Sequence, residues 1–531
     1  MRVLTSDELR HIAHDAEGRT NTSASVLIQR AGYAVAQFCL AHFKFRSVCA
    51  VCGNGENGTD GLMAAQVLSG IAEQISVIVL AMEEKVLSPE AAAICASLSV
   101  KPIWIVDEAG FQDNVVQAAM EADLIIDAVA GIGFEPPLEE ISKKAVEAIN
   151  NAPGIVVSVD VPSGTEPDSR SRAHQGSNEA VFSHGVITFV APTLSHVFGE
   201  LTSGPVAVSE IGSQPTLVSH QTGLSVTTGQ EVRITFPPRP DEAHKKDFGH
   251  VLVIGDSMDK AGAAALAGIA ALRTGAGLVT VACPKSIQPT IAGFAPELMT
   301  QGLPEAEEGI ISLAAREKIL QLLANADVVV LGPGLSRNDK TSEFVSWIAH
   351  ICQSPLVVHA EALNAVITSK PELPPENSKL RVLVFEPDEA AAFLGFRMDE
   401  LQADRLVAAR RIAAETQSCV VLKGFRTIVA GFSGETWINM TGNAALAKNG
   451  SDDALSGILA AAIARHSSER SSLLRELDIA SAVHLHGLAA DLARDLFHEN
   501  TVLATDLLET LSDAFRDCEL QADRGLFYLH K

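Results

Sequence analysis

Short β-branched apolar runs recur along the first part of the chain, at Ser47–Cys52, Ile75–Leu80, Ile103–Val106, Leu124–Asp127, Ile155–Asp160 and Val186–Val190. Between them, Gly61–Gly70, Pro89–Ser97, Phe111–Ala122 and Leu138–Asn150 read as helices. Strands alternating with helices predict βαβ units and a parallel sheet covered on both faces. The alternation then restarts. Strands are expected at His250–Ile254, Leu278–Ala282, Asp327–Leu331, Leu356–His359, Val382–Phe385, Cys419–Lys423 and Thr427–Ala430. Helices are expected at Gly262–Thr274, Ala315–Ala324, Glu343–Ile351, Glu361–Ile367, Asp388–Leu394, Asp404–Thr416, Asp453–His466 and Ile479–Phe497. Gly262–Thr274 is nearly all Ala, Gly, Leu and Ile, side chains that let a helix lie close on a sheet. Between the two runs, Ser213–Gln230 is polar and non-periodic. The following Pro237-Pro238-Arg239-Pro240 can continue neither a helix nor a central strand. The pattern predicts an α/β protein of two domains, 1–228 and 229–531.

Length and charge narrow this picture. A chain of 531 residues has room for two to four domains, and its 47% hydrophobic content excludes global disorder. The net charge of −25 argues against nucleic-acid and anionic-membrane partners. A small anionic ligand then needs a locally positive site or one built from backbone N–H groups. The eight cysteines form no disulfide framework. Cys49 and Cys52 have redox-motif spacing, but on a strand they face opposite sides and read as core residues. The N-terminus lacks an apolar signal region, and stretches such as Ala261–Leu272 are too short to span a bilayer. A soluble, reduced, cytoplasmic protein is expected. His11, His14, His484 and His486 lack partners at metal-ligand spacing and read as structural.

The densest chemical signal is Gly53-Asn54-Gly55-Glu56-Asn57-Gly58-Thr59-Asp60-Gly61, between an expected strand and an expected helix. Its glycines permit close backbone approach to a ligand, and the helix N-terminus offers N–H groups to an anion. Alone, such a loop serves a tight turn nearly as well. Two other strand ends sharpen the reading: Asp127, followed by Gly131-Ile132-Gly133, and Asp160, followed by Val161-Pro162-Ser163-Gly164. Ligands of open α/β sheets bind outside the carboxyl ends of strands. Asn57, Asp60, Asp127, Asp160 and Ser163 are therefore expected to converge, and their oxygens suit a hard cation. Capping of helices and turns is their other use.

These motifs together resemble the NAD(P)H-hydrate epimerase domain over residues 1–215, including Val3-Leu4-Thr5 and Arg30-Ala31-Gly32. The resemblance implies a Rossmann-like three-layer sandwich. It further implies K+ bound by Asn57, Asp127 and Ser163. Glu56, Asn57, Gly58, Thr59 and Asp60 would bind the hydrated nicotinamide nucleotide, together with Gly131, Ile132, Gly133, Phe134, Glu135, Pro136, Pro137 and a catalytic Asp160. Two positions differ from the family's pattern. Glu56 is a carboxylate where an amide is usual, and Thr193 replaces a lysine.

In the second half, Asn449-Gly450-Ser451-Asp452-Asp453 runs into an expected helix. Backbone N–H groups at that N-terminus can hold a phosphoryl group, and an Asp in the first turn can act as general base. N-capping by Ser451 and Asp452 fits equally well. With Gly255-Asp256-Ser257, Gly332-Pro333-Gly334, Lys423-Gly424-Phe425-Arg426-Thr427 and His486-Gly487-Leu488, the set resembles the ADP-dependent NAD(P)H-hydrate dehydratases over residues 235–531. The resemblance implies a ribokinase-like α/β/α domain using ADP and Mg2+. Asp453 would be the catalytic base. Lys423, Gly424, Phe425, Arg426, Thr427 and Asp452 would bind the nucleotide, while Ala263, Gly334 and Glu386 would touch substrate. The ordered pair of domains implies repair of hydrated NADH and NADPH. The first would interconvert the R and S epimers. The second would phosphorylate the S hydrate from ADP and eliminate phosphate.

Departures recur here too. Asp452 replaces a glycine and would repel an incoming phosphoryl group. Glu386 stands where the family has a histidine, and the family's Asp-Ala-Asp reads His359-Ala360-Glu361. Two other readings therefore stay open: a ribokinase-like small-molecule kinase, and a non-catalytic nucleotide-binding protein. Association into a homo-oligomer also stays open.

Overall fold

A computed structural model describes residues 1–531 apart from 20–22, 82–86, 170–178, 213–221, 308, 370–379, 466–471, 525 and 531. In it the alternation is realised twice, in one unit of Met1–Val226 with Gln521–Lys531 and a second of Thr227–Leu520. The first half of the linker read at Ser213–Gln230, and the end of the helix read to His466, lie outside the described residues.

The first unit contains β1 (Ser47–Cys52), β2 (Gln74–Leu80), β3 (Ile103–Ile105), β4 (Leu124–Ala128), β5 (Ile155–Val159), β6 (Gly185–Phe189) and β7 (Val206–Ser209). These run parallel in the order β7-β6-β5-β4-β1-β2-β3. The chain steps from β1 out to β3, then returns to β4 on the far side of β1. The crevice at the carboxyl ends of β1 and β4 is thus the topological switch point. Apolar side chains fill both faces. Val48, Ala50 and Cys52 join one core, while Cys49 and Val51 join the other. Cys49 and Cys52 therefore point apart, and burial pushes the Cys49 thiol up to about 12.

A short strand, β8 (Leu224–Val226), bridges to Arg2. The end of the chain corrects the expectation that 229–531 is one domain. Leu526–His530 adds antiparallel to the open edge of β7, burying Phe527 and Leu529. The Tyr528 hydroxyl meets His42 Nε2 at 2.9 Å. A single unpaired strand that joins a sheet begun hundreds of residues earlier leaves no periodic trace in the sequence.

The helix after β1 also starts earlier than expected, at Glu56 rather than Gly61. Gly58 permits this: a Cβ there would lie 1.9 Å from the carbonyl oxygen of Gly53. Thr59 closes the turn by donating its N–H and its hydroxyl to the Gly55 carbonyl, each at 3.1 Å. Gly58→Ala should therefore lower the urea stability of this unit by about 1–3 kcal/mol, the usual cost of forcing extra volume into a packed site. An unchanged unfolding midpoint would contradict that close contact.

The second unit holds β9 (His250–Ile254), β10 (Leu278–Pro284), β11 (Met299–Leu303), a hairpin of β12 (Glu305–Glu307) and β13 (Ile310–Ile311), β14 (Val328–Leu331), β15 (Leu356–Val358), β16 (Arg381–Phe385), β17 (Cys419–Leu422), β18 (Ile428–Ala430) and β19 (Thr436–Ile438). The main sheet runs β11-β10-β9-β14-β15-β16-β17-β18-β19. It is parallel through β17 and antiparallel beyond it. Its switch point lies between β9 and β14. The helix Ala263–Thr274 uses its small residues chiefly to approach another helix, Ser451–Ala464. A Cβ on Gly457 would lie 2.0 Å from the Ala267 carbonyl oxygen. Among the described residues no helix is long and apolar enough to cross a membrane. All eight cysteines are buried and free.

Candidate active sites at the two switch points

In the first unit the expected residues do gather at the carboxyl ends of β1, β4 and β5. Residues Glu56–Asp60 form the first turn of the helix Glu56–Leu68, whose N-cap, Gly55, supplies no side-chain hydrogen bond. Its leading N–H groups therefore face the crevice with a positive dipole end. Gly131 sits between Asn57 and Asp160: a Cβ there would lie 2.8 Å from Asp160 Oδ2 and 2.9 Å from Asn57 Cγ. Asp160 adopts φ +72°, a strained conformation for a non-glycine residue. Its carboxylate oxygens accept from Thr188 Oγ1 at 2.8 Å and from the Ile132 N–H at 2.7 Å. Burial pushes its carboxyl upward, those two donors oppose the shift, and Glu56 adds to it. Asp60 is pushed well above the carboxylate range by burial, then by Asp160 and Glu56. Glu56, Asp60 and Asp160 thus share one negative field.

Asp127 is fully buried and ties β4 to the β5 turn. Its Oδ2 accepts from Ser158 Oγ at 2.8 Å and from the Ser163 N–H at 2.9 Å, while Ser163 Oγ donates to Oδ1. Asn57 differs: both its amide atoms are buried with no hydrogen-bond partner. That leaves unmet polar capacity of the kind a cation or ligand satisfies. Where a lysine was expected, Thr193 N-caps the short helix Leu194–Phe198. Its N–H donates to His196 Nδ1 at 3.1 Å, and His196 Nε2 lies 2.7 Å from the Asp160 carbonyl oxygen. Burial pushes His196 down to about 4, so it is neutral and braces the Asp160 backbone.

In the second unit the turn after β9 meets the turn after β14. The Asp256 N–H donates to the Pro333 carbonyl at 2.7 Å, and Ser257 Oγ donates to the Gly334 carbonyl at 2.8 Å. Gly334, at φ +68°, leaves room there: a Cβ would lie 2.6 Å from Asp256 Oδ1. Asp256 Oδ1 also accepts from the N–H groups of Gly262 and Ala264, fixing the turn that carries Ala263.

Facing this turn is the N-terminus of the helix Ser451–Ala464. Capping by Ser451 and Asp452 does not occur. The N-cap is Gly450 at φ +90°, without any side-chain cap, and both residues sit inside the first helical turn beside Asp453. Asp453 is nearly buried. Burial, with Asp452 and Asp256 adding repulsion, pushes its carboxyl up to about 7, against the pull of Lys260 and Lys423. Asp256 is pushed up to about 6, chiefly by burial.

Lys423, at the end of β17, pairs with both Glu386 and Asp452. Burial would lower its ammonium, but the two carboxylates outweigh that and raise it. The segment Lys423–Thr427 is shaped by Arg405, whose guanidinium donates to the Leu422 carbonyl at 3.2 Å, the Lys423 carbonyl at 2.6 Å and the Phe425 carbonyl. Gly424 at φ +124° and Arg426 at φ +56° make the turn.

Two families match along the chain: one described as YjeF-related protein N-terminus over residues 24–195, the other as NAD(P)H-hydrate dehydratase over 251–513. A bifunctional NAD(P)H-hydrate repair enzyme of Moorella thermoacetica is 33% identical, with 98% of each chain covered. The chain belongs to the bifunctional NAD(P)H-hydrate repair enzyme family. The Escherichia coli member is 29% identical over 96% of this chain and 93% of its own. A Bacillus subtilis ADP/ATP-dependent NAD(P)H-hydrate dehydratase, crystallised with ATP and Mg2+, is 28% identical, covering 55% of this chain and 98% of its own with a TM-score of 0.47.

Glu386 and Asp452, two of the positions expected to depart from the family's pattern, are joined by Lys423. The repulsion expected from Asp452 alone is thus met by a cation from the neighbouring strand end. Asp256, Glu389, Arg405, Thr188 and His196 join the sites although no motif singles them out as site residues; Asp256 alone stands in one, Gly255-Asp256-Ser257. Glu389, partly buried and pushed up to about 7 by burial and then by Asp388 and Glu386, carries no local signal.

Proposed function

We propose that this protein restores hydrated NADH and NADPH: its first unit interconverts the R and S hydrates, and its second dehydrates the S form at the expense of ADP. The reading rests above all on Asp453, a nearly buried carboxyl pushed up to about 7 at an uncapped helix N-terminus. A base of that pKa is half ionised near neutrality, where it can take the proton of a substrate hydroxyl. The same N-terminus presents N–H groups to the phosphoryl group in transit. Once phosphorylated, the hydroxyl leaves as phosphate and the dihydropyridine is restored. Lys423 to Thr427 would hold the nucleotide, with Asp452 competing for Lys423, while Ala263, Gly334 and Glu386 would line the substrate side. Mg2+ would neutralise the phosphates.

In the first unit Asp160 would act on the hydrated carbon, with residues 56–60 and 131–137 holding the nucleotide. K+ fits the unpartnered Asn57 amide, and carboxylate oxygens retain lone pairs beyond those used by Ser158 and Ser163. Asn57, Asp127 and Ser163 would then hold the ion and brace the turn. Eight free, buried cysteines suit a reducing cytoplasm.

Product analysis tests the reading against a kinase. The protein with ADP, Mg2+ and hydrated NADPH should release one inorganic phosphate per restored dihydronicotinamide. A stable phosphoester instead would overturn it. Asp452→Gly should free Lys423 for phosphate and lower KM for ADP several-fold, as expected when one ion pair competes with a ligand. A raised KM would mean Asp452 itself helps to hold the nucleotide.

A further inference from the structure

His359 follows β15 and sits deep in the second unit's crevice, 8% exposed. Its backbone is pinned. The N–H donates to the Leu331 carbonyl at 3.1 Å, and its own carbonyl oxygen lies where a Cβ on Gly332 would come within 1.8 Å. The next residue, Ala360, turns away at φ +53°. The ring is therefore aimed by the main chain. Yet its Nδ1 is buried without a hydrogen-bond partner, and buried polar atoms left so call for an explanation. The acid facing it is Asp453, with Nδ1 3.8 Å from Oδ1. That is too long for a hydrogen bond, but catalytic contacts are often long before substrate arrives and tighten in the complex.

Burial, then Lys423, pushes His359 down to about 4 against the opposing effect of Glu386, so the ring is neutral at physiological pH. A neutral imidazole cannot act as a counter-ion. It can donate one N–H, and a donor to a carboxylate fixes both the carboxylate's rotation and its basicity.

We propose that His359 is a positioning residue for dehydration: its neutral ring, protonated on Nδ1, donates to Oδ1 of Asp453 in the substrate complex and leaves Oδ2 to take the hydroxyl proton. This rests on the assignment of Asp453 as base. The pair titrates among Asp452 on its own helix, Asp256 and Lys260 from the turn after β9, Glu386 after β16 and Lys423 after β17. Those groups are common to the native enzyme and to each variant below, so a change in the pH profile reports the lost donor.

The experiment compares His359→Ala and His359→Asn in the full-length protein, with Asp453→Asn as reference. Asn carries an amide N–H close to the position of Nδ1. His359→Ala should lower kcat for dehydration about 10²-fold, the scale of a misplaced catalytic group. It should also move the acidic limb of the pH profile up by about one unit, as expected when a donor to the charged form is lost. KM for the hydrate and the epimerisation rate should stay unchanged, and His359→Asn should recover most of kcat and the native limb. An unaltered kcat and pH limb in His359→Ala would overturn the proposal while leaving Asp453 in place. Equal loss in both His359 variants, with a lowered melting temperature, would also overturn it and mark a purely structural residue. Full dehydration by Asp453→Asn would sink the base assignment itself.

Discussion

Asp453→Asn is expected to cut dehydration by about 10²- to 10⁴-fold, the range general-base catalysis contributes, while epimerisation proceeds at the native rate. The substitution keeps size and helix position, so the N-terminus of Ser451–Ala464 still presents its N–H groups and nucleotide binding should persist. Only the proton acceptor is lost. The pH profile carries the same claim with a definite sign. Below its raised pKa of about 7 Asp453 holds a proton and cannot accept another. The native dehydration rate should therefore rise with pH through about 7, with a slope of one, and the Asn variant should lack that limb. Steady-state assays of S hydrate with ADP check both. A native-like rate in the variant would remove Asp453 from the chemistry.

Asp160→Asn should produce the mirror image: epimerisation lowered by about 10²- to 10⁴-fold and dehydration of S hydrate unchanged. Its two oxygens accept from donors on different segments, Thr188 Oγ1 and the Ile132 N–H. An amide can satisfy only one of these and turns its own NH2 toward the other. The loss thus combines a missing charge with a disturbed turn at residues 131–133. His196, holding the Asp160 carbonyl, keeps the backbone in place in the variant. Mixing R and S hydrates with the variant and following their ratio by chromatography measures it. Unimpaired equilibration would show that Asp160 serves the fold alone.

Much of this was legible in the sequence because of how α/β sheets work. The β-branched runs marked most of the strands that form the two sheets. Glycines and acids at strand ends marked the crevices, since βα turns carry ligands at the switch points. The glycine turn before Asp453 marked a helix N-terminus able to hold a phosphoryl group, but Ser451 and Asp452 pointed equally to a cap, and that cap does not form. What stayed hidden depends on distance along the chain. Leu526–His530 completes a sheet begun near residue 47. Asp452, read as repelling an incoming phosphoryl group, and Glu386, read as replacing a histidine, are joined by Lys423, which no local pattern connects to either. Thr193, read as a missing lysine, instead caps a helix and orients His196. His359, Arg405 and Glu389 acquire meaning only from what burial places against them.

Two sites acting in turn are tested by presenting purified R and S hydrates separately to the native protein with ADP and Mg2+ and following recovery of dihydronicotinamide absorbance. The native protein should restore both epimers. Asp160→Asn should restore only S, and Asp453→Asn neither. Failure of the native protein to restore either epimer would contradict it, as would loss of S restoration in the Asp160 variant.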